Sequence, residues 1–286
     1  MRTEQEMMDL IIGFAERDDR VRAVIISGSR ANLNAPKDIF QDYDIMYIVT
    51  DVDSFVADAD WIDVFGERMI LQLPDEMTTP PRQRSGRFTY LMQFIDGTRI
   101  DLTLVLLAEA ETEACSRDDK LAVLLLDKDN CLPKLDPPTD EDYWVQPPSA
   151  KLFSNCCNEF WWVAPYVAKG LRRNEILYAK KHLDNYVRVE LLKMLEWQAG
   201  IDTEFSLSVG KCHKYLERYL AEDTWQALLS TFADGSYDAT WDALFAACYL
   251  FRTTAKAVAA YFGYEYPEDD DARVTEHLKR VRGEYA

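Results

Sequence analysis

Two aspartates one residue apart, Asp42 and Asp44, lie in Gln41-Asp42-Tyr43-Asp44-Ile45-Met46-Tyr47-Ile48-Val49, downstream of Gly28-Ser29-Arg30 and upstream of a third in Arg99-Ile100-Asp101-Leu102-Thr103-Leu104. Side chains of a β-strand alternate between faces, so carboxylates two positions apart point the same way and Tyr43 faces the other side. A third carboxylate at the end of a neighbouring strand would complete a hard, oxygen-lined cage. That chemistry suits magnesium carried in with a nucleoside triphosphate, and it implies metal-dependent transfer of a nucleotidyl group. Asp42 and Asp44 would hold the metal. Asp101 would either ligate a second metal or take a proton as general base.

The upstream residues suggest how phosphates would be held. After the β-branched run Val21-Arg22-Ala23-Val24-Ile25-Ile26, a buried strand by length and content, comes Ser27-Gly28-Ser29-Arg30. Gly28 lets backbone approach a ligand closely, and the amides after it, the Ser29 hydroxyl and the Arg30 guanidinium could donate to phosphate oxygens. Taken singly, a Gly-Ser after a strand is usually a turn, and an Asp-x-Asp at a strand start is often a solvated one. Their order within one domain favours the functional reading: strand, Gly-Ser, short connection, Asp-x-Asp on a second apolar strand, Asp on a third.

The run Gly28-Ser29-Arg30-Ala31-Asn32, followed by Lys37-Asp38 and Phe40-Gln41-Asp42-Tyr43-Asp44-Ile45, resembles the aminoglycoside 6-adenylyltransferases, the streptomycin-modifying branch of the nucleotidyltransferase superfamily. The similarity continues through Asn158-Glu159-Phe160-Trp161-Trp162, Tyr166-Val167-Ala168-Lys169-Gly170-Leu171, and Met194-Leu195-Glu196-Trp197 with Gly200, and so spans most of the chain. It implies attack by an antibiotic hydroxyl, the 6-hydroxyl of streptomycin, on the α-phosphorus of Mg2+-ATP. Pyrophosphate would leave, AMP would stay on the drug, and antibiotic resistance would follow. In Val209-Gly210-Lys211-Cys212-His213-Lys214 the family pattern calls for a second glycine before the second lysine, where this chain has His213; no ligand role is therefore carried to Lys214.

A guanidinium-bearing aminocyclitol calls for carboxylates and aromatic faces, and the family-like helices offer Glu159, Trp161, Trp162 and Asp184. The two tryptophans are adjacent on a helix, about 100° apart, so at most one faces a cleft; Trp161 is the candidate. Lys169 and Lys211, each beside a glycine, could reach the triphosphate. Each of these residues also has an ordinary reading as a surface charge or a packed ring. Two other functions fit the same motifs: a nucleotidyltransferase with a different acceptor, and a catalytically idle nucleotide-binding module. The intact three-carboxylate set argues against idleness.

The chain has 286 residues, 48% hydrophobic and 12% aromatic, which makes it globular and long enough for two modest domains. Its net charge of −18 argues against nucleic acid as a partner, because affinity for a phosphate backbone is dominated by cationic contacts. A cationic small molecule fits better. The six cysteines form no Cys-x-x-Cys pair and read as reduced core thiols, the adjacent Cys156-Cys157 included. No segment resembles a secretion signal or a membrane span, so a cytoplasmic location is expected.

Positioning these residues requires an α+β arrangement. Met7, Leu10, Ile11 and Phe14 predict an amphipathic helix over Thr3 to Arg17. Strands are expected up to Ser27 and over Tyr43 to Val49, Glu67 to Leu73, Phe88 to Phe94, Thr98 to Leu107 and Leu121 to Leu126, with a hairpin at Ile95-Asp96-Gly97 and a helix over Ala108 to Asp119. The resemblance makes this a nucleotidyltransferase-like mixed sheet with flanking helices, over 1–135. A Pro-rich acidic linker is expected over 136–148. A helical bundle, the substrate-binding half, is expected over 149–286, with helical patterns over Phe153 to Lys169, Arg172 to Gly200, Thr203 to Ala221, Thr224 to Ala233 and Tyr237 to Gly263. The acidic stretch Glu265 to Asp271 is expected as a loop before a final helix.

Overall fold

The structure is a computed structural model, and it describes residues 1–77, 86–110 and 120–283. The chain divides into two compact units, Met1–Asp142 and Tyr143–Ala286.

The first unit begins with helix α1, Glu4–Arg17. Its start is fixed by a capping box: Thr3 accepts from the Glu6 amide and Glu6 reaches back to the Thr3 amide. Six strands follow: β1 Val21–Ser27, β2 Tyr43–Val49, β3 Arg68–Gln72, β4 Arg87–Phe94, β5 Arg99–Leu106 and β6 Ala122–Asp127. A short helix α2, Val52–Val56, lies between β2 and β3. The sheet order is β3-β4-β5-β2-β1-β6. β2 and β5 run parallel, and the other described pairs are antiparallel.

Both faces of the sheet centre are covered, which is why β2 is apolar at nearly every position rather than alternating. On one face Tyr43, Ile45, Tyr47 and Val49 pack with Met7 and Ile11 of α1 and with the rings of Phe55, Trp61 and Phe65. The Tyr47 hydroxyl donates to the Ile11 carbonyl at 2.6 Å, and its burial pushes the phenol pKa far up. Each fully buried ring of this kind contributes about 1.5–3 kcal/mol through area removed from water. On the other face Met46, Ile48 and Val105 join Ala23, Ile25 and Ala122 in a smaller core.

The second unit is helical: α3 Ala150–Arg172, α4 Ile176–His182, α5 Arg188–Asp202, α6 Glu222–Leu229, α7 Tyr237–Phe262 and α8 Glu268–Arg282, around one core. Gly170 lets α3 and α4 approach, since a Cβ there would lie 3.0 Å from the Ala179 amide nitrogen. The fold is thus a six-stranded mixed sheet with flanking helices, plus a helical C-terminal unit. Among the described residues no helix is long and apolar enough to cross a membrane.

Three expectations are corrected. The span from Arg172 to Gly200 is broken at Asn174, which sits at φ 59°, and contains a π-helical turn, Leu183–Val187. Thr203 to Ala221 is not a helix. Glu204, Phe205, Gly210, Cys212 and His213 all take positive φ there, with only short 3-10 turns between; its apolar residues, Phe205, Leu207 and Leu220 among them, pack a loop against the bundle. Glu268 to Asp271 is the first turn of α8, where carboxylates favour the positive end of the helix dipole. The helix expected to Asp119 lies outside the described residues from 111 onward, as does Cys115.

Candidate active site

The parallel register of β2 and β5 sets Asp44 opposite Asp101. Asp44, Met46 and Ile48 share the face of the smaller core, so the two acids stand where that apolar patch ends. Tyr43 packs on the opposite face. Asp42 lies one residue before β2, at the mouth of the same strand pair.

Beside them β1 runs out at Ser27, paired with Asp44, into the 3-10 turn Gly28–Arg30. Gly28 has φ 70°, and a Cβ there would lie 2.2 Å from Oδ2 of Asp44. Position 28 must therefore be glycine for two reasons, its left-handed backbone and the carboxylate resting on it. The Gly28 amide donates to the Leu121 carbonyl at 3.2 Å, which ties the turn to the segment entering β6. Ser29 is half-buried on this turn, and its carbonyl accepts from the Gln41 side chain at 3.1 Å.

Arg30 bonds the backbone just before β2. Its Nε donates to the Asp42 carbonyl at 3.1 Å and its Nη2 to the Gln41 carbonyl at 2.9 Å. The guanidinium stacks 3.7 Å from the Tyr43 ring centre, with Nη1 3.6 Å from Glu4. Arg30 is thus a staple for the loop that carries Asp42.

Arg99 was not foreseen. From β5 its Nε and Nη2 donate to the two oxygens of Asp101 at 2.8 and 2.7 Å, and its Nη1 lies 3.6 Å from Asp42 Oδ2. The signal was available, since residues 99 and 101 share a face, but an Arg-x-Asp on a strand reads as an ordinary surface pair. Arg99 and Asp42 help line a cleft of about 290 Å³ together with Lys37, Asp38, Phe40 and Gln41. Across it, Arg2 fixes the β4–β5 turn by bonds to Asp96 and Thr98. Burial pushes the Asp96 carboxyl pKa up, but hydrogen bonds from Arg2 and Thr98 outweigh this and hold it well below the usual range.

Among the described residues no three His, Cys, Asp or Glu side chains already converge as a ready metal site. The side chains gathered here are hard carboxylate oxygens on adjoining strand ends, the donor type that divalent cations such as magnesium take, with the Arg99 guanidinium lying against two of them.

In the second unit Glu159 is exposed on α3. Trp161 is not on a surface; it is 2% exposed, with its Nε1 donating to the Tyr266 hydroxyl at 3.2 Å, so the ring offered for substrate is part of the core. Its neighbour Trp162 is 64% exposed. Asp184, in the π-helical turn, accepts from Arg188 at 2.9 Å and lies 3.6 Å from Lys180. Lys169 is exposed, with its ammonium 4.7 and 5.5 Å from the Tyr166 and Tyr178 rings. Lys211 is exposed after Gly210, and Lys214 lies 5.0 Å from the Tyr215 ring. The glycines beside Lys169 and Lys211 have packing reasons, because a Cβ at Gly170 or Gly210 would strike Tyr178 or Tyr215. The described cysteines are free; Cys156, Cys157 and Cys248 are buried, and burial pushes the thiols of Cys157 and Cys248 up to about 12.

A mixed sheet that sets paired acids on parallel strand ends beside a Gly-Ser turn has the makings of a nucleotidyltransferase. The chain matches the streptomycin adenylyltransferase family over residues 1–281. It is 44% identical to aminoglycoside 6-adenylyltransferase of Bacillus subtilis, over 98% of both chains. It is 45% identical to the enzyme of that name from Campylobacter jejuni, over 100% of this chain and 98% of the other. A crystal structure of an aminoglycoside 6-adenyltransferase from Bacillus subtilis is 39% identical, covers 99% of both chains and gives a TM-score of 0.48. The chain belongs to the streptomycin adenylyltransferase family. It is an enzyme of the nucleotidyltransferase class.

Proposed function

We propose that the protein transfers AMP from ATP to a hydroxyl of a cationic aminoglycoside, the 6-hydroxyl of streptomycin, and releases pyrophosphate. The observation that carries this reading is the register of Asp44 against Asp101, with Asp42 one residue before β2. The relatives bearing the name aminoglycoside 6-adenylyltransferase support the acceptor class. Asp42, Asp44 and Asp101 would hold magnesium, which when bound offsets triphosphate charge and favours attack at phosphorus. The chain's own residues do the rest. The Gly28–Ser29 turn lets backbone come close to phosphate oxygens, and the Ser29 hydroxyl can donate to them. Arg30 holds the Asp42 loop in place. Asp101 serves as the third carboxylate or takes the proton that the attacking hydroxyl loses. Lys169 and Lys211 are the cations of the helical unit assigned to phosphate, and Glu159 and Asp184 are its acids assigned to the drug. In such transfers most of the acceleration comes from positioning and charge stabilisation.

The test is pyrophosphate release by purified protein given ATP, Mg2+ and streptomycin, with mass spectrometry of the drug for one added AMP. Both signals are expected. Release with another aminoglycoside but not with streptomycin would move the acceptor, and silence with every acceptor would overturn the reaction.

A further inference from the structure

Arg99 and Asp101 stand two residues apart on β5 and share a face, and the guanidinium uses that closeness fully. Its Nε and Nη2 engage both oxygens of Asp101 at 2.8 and 2.7 Å while Nη1 lies 3.6 Å from Asp42. This bidentate fork is the geometry in which arginine binds a carboxylate most strongly. One fixed cation therefore lies against two of the three acids assigned to the metal. A guanidinium does not lose its proton in proteins, so it cannot leave this cluster by neutralising itself. A divalent ion approaching the same oxygens meets a positive charge already bonded to one of its ligands and 3.6 Å from a second.

We propose that Arg99 is a built-in competitor of the metal: its fork holds Asp101, its third nitrogen lies against Asp42, and both contacts must yield when a divalent cation takes those acids. The protein alone then binds the cation weakly, and binds it well when a triphosphate arrives with compensating negative charge. This rests on the carboxylate reading of the metal site given above. The competing view is that Arg99 is a strand salt bridge that merely shapes the sheet end.

The experiment is titration of the full chain with Mn2+, without nucleotide, reading free ion by electron paramagnetic resonance. Arg99→Gln should bind Mn2+ about tenfold tighter than the parent, the size expected from losing two partly exposed ion pairs. Lys37→Gln removes an equal charge from the same cleft and should change affinity by less than about twofold, as suits an exposed, screened charge. Arg99→Lys keeps the charge but loses the fork, and should tighten binding by about threefold; it reads the same competition should the glutamine variant not fold. In melting curves, saturating Mn2+ should raise the Tm of Arg99→Gln by more than that of the parent. Parent and Arg99→Gln binding equally well, or the variant binding more weakly, would overturn the competition while leaving the metal site standing. So would equal tightening by Lys37→Gln. No Mn2+ binding by the parent or by any variant would overturn the metal site and the competition together.

Discussion

An alanine methyl at position 28 would fall 2.2 Å from Oδ2 of Asp44, on a backbone whose φ of 70° already disfavours any side chain. Gly28→Ala should therefore cost about 1–2 kcal/mol from the left-handed conformation alone and push Asp44 off its position opposite Asp101. Both Tm and turnover should fall, turnover by about a hundredfold, as when charge stabilisation of a transferring group is lost. Asp44→Asn keeps the shape and removes the charge, so turnover should fall by a similar factor with Tm close to the parent's. Comparing the two variants in one melting and one pyrophosphate-release assay decides it; near-normal turnover in Asp44→Asn would remove that residue from the site. The grouping of Asp42 with Asp44 was legible because strand periodicity is local and their spacing is short, whereas the register that sets Asp44 against Asp101 comes from the pairing of β2 with β5. Arg30 and Arg99 were not legible, because their partners are set by the turn of the chain and by a side-chain fork. Trp161 misled for a related reason: neighbours on a helix face different ways, and only the packed bundle says which of Trp161 and Trp162 is inside.

The β4–β5 hairpin delivers Arg99 and Asp101, and its turn is held by Arg2 on Asp96. Asp96 is an acid whose folded-state pKa is depressed, so its contribution is present above the ordinary carboxylate pKa and is lost as pH falls toward the folded value. Asp96→Asn should lower stability by about 2 kcal/mol at pH 7, the range for hydrogen bonds to a charged group, and the gap to the parent should be clearly narrower by about pH 2, since it starts to shrink only below about pH 4. Denaturant melts at the two pH values test the sign; a gap that widens in acid would refute it. In the helical unit the acids assigned to the drug should part company. Asp184 faces Arg188, whose side chain is only 7% exposed and whose Nε has no hydrogen-bond partner. Asp184→Asn should therefore cost about 1–2 kcal/mol, less than a fully buried pair because the aspartate itself is partly solvated. Glu159→Gln, on the outside of α3, should leave Tm unchanged and raise the streptomycin KM with little effect on the KM for ATP, the signature of lost uniform binding. A stability loss at Glu159 would make that acid structural, and an unchanged streptomycin KM in Asp184→Asn would take Asp184 out of the drug site whatever its effect on Tm. The strands were readable to within a residue or two because their ends carry Gly, Asp and Pro punctuation. Thr203 to Ala221 was not, since apolar residues that dock a loop onto a bundle mimic helical spacing.

At the scale of the whole chain the dominant quantity is the net charge of −18. A field of that sign raises the local concentration of a polycation and lowers that of a polyanion, so the two proposed substrates should respond to salt in opposite directions. Raising ionic strength from about 0.01 to 0.15 M shortens the screening length from about 30 to 8 Å, enough to remove long-range steering but not short contacts inside a site. With Mg2+ held saturating, kcat/KM for streptomycin should fall about tenfold over that range, within the span of measured steering effects. The same quantity for ATP should stay level or rise, and kcat, which reports the bound complex, should hardly move. The opposite signs are what separate steering from other salt effects. Parallel losses for both substrates would mean that salt acts on the fold or on the carboxylate cluster itself, as at the partly exposed Arg99–Asp42 pair. No response from either would assign the charge to solubility alone, leaving recognition of the drug to short-range contacts such as the one proposed at Glu159.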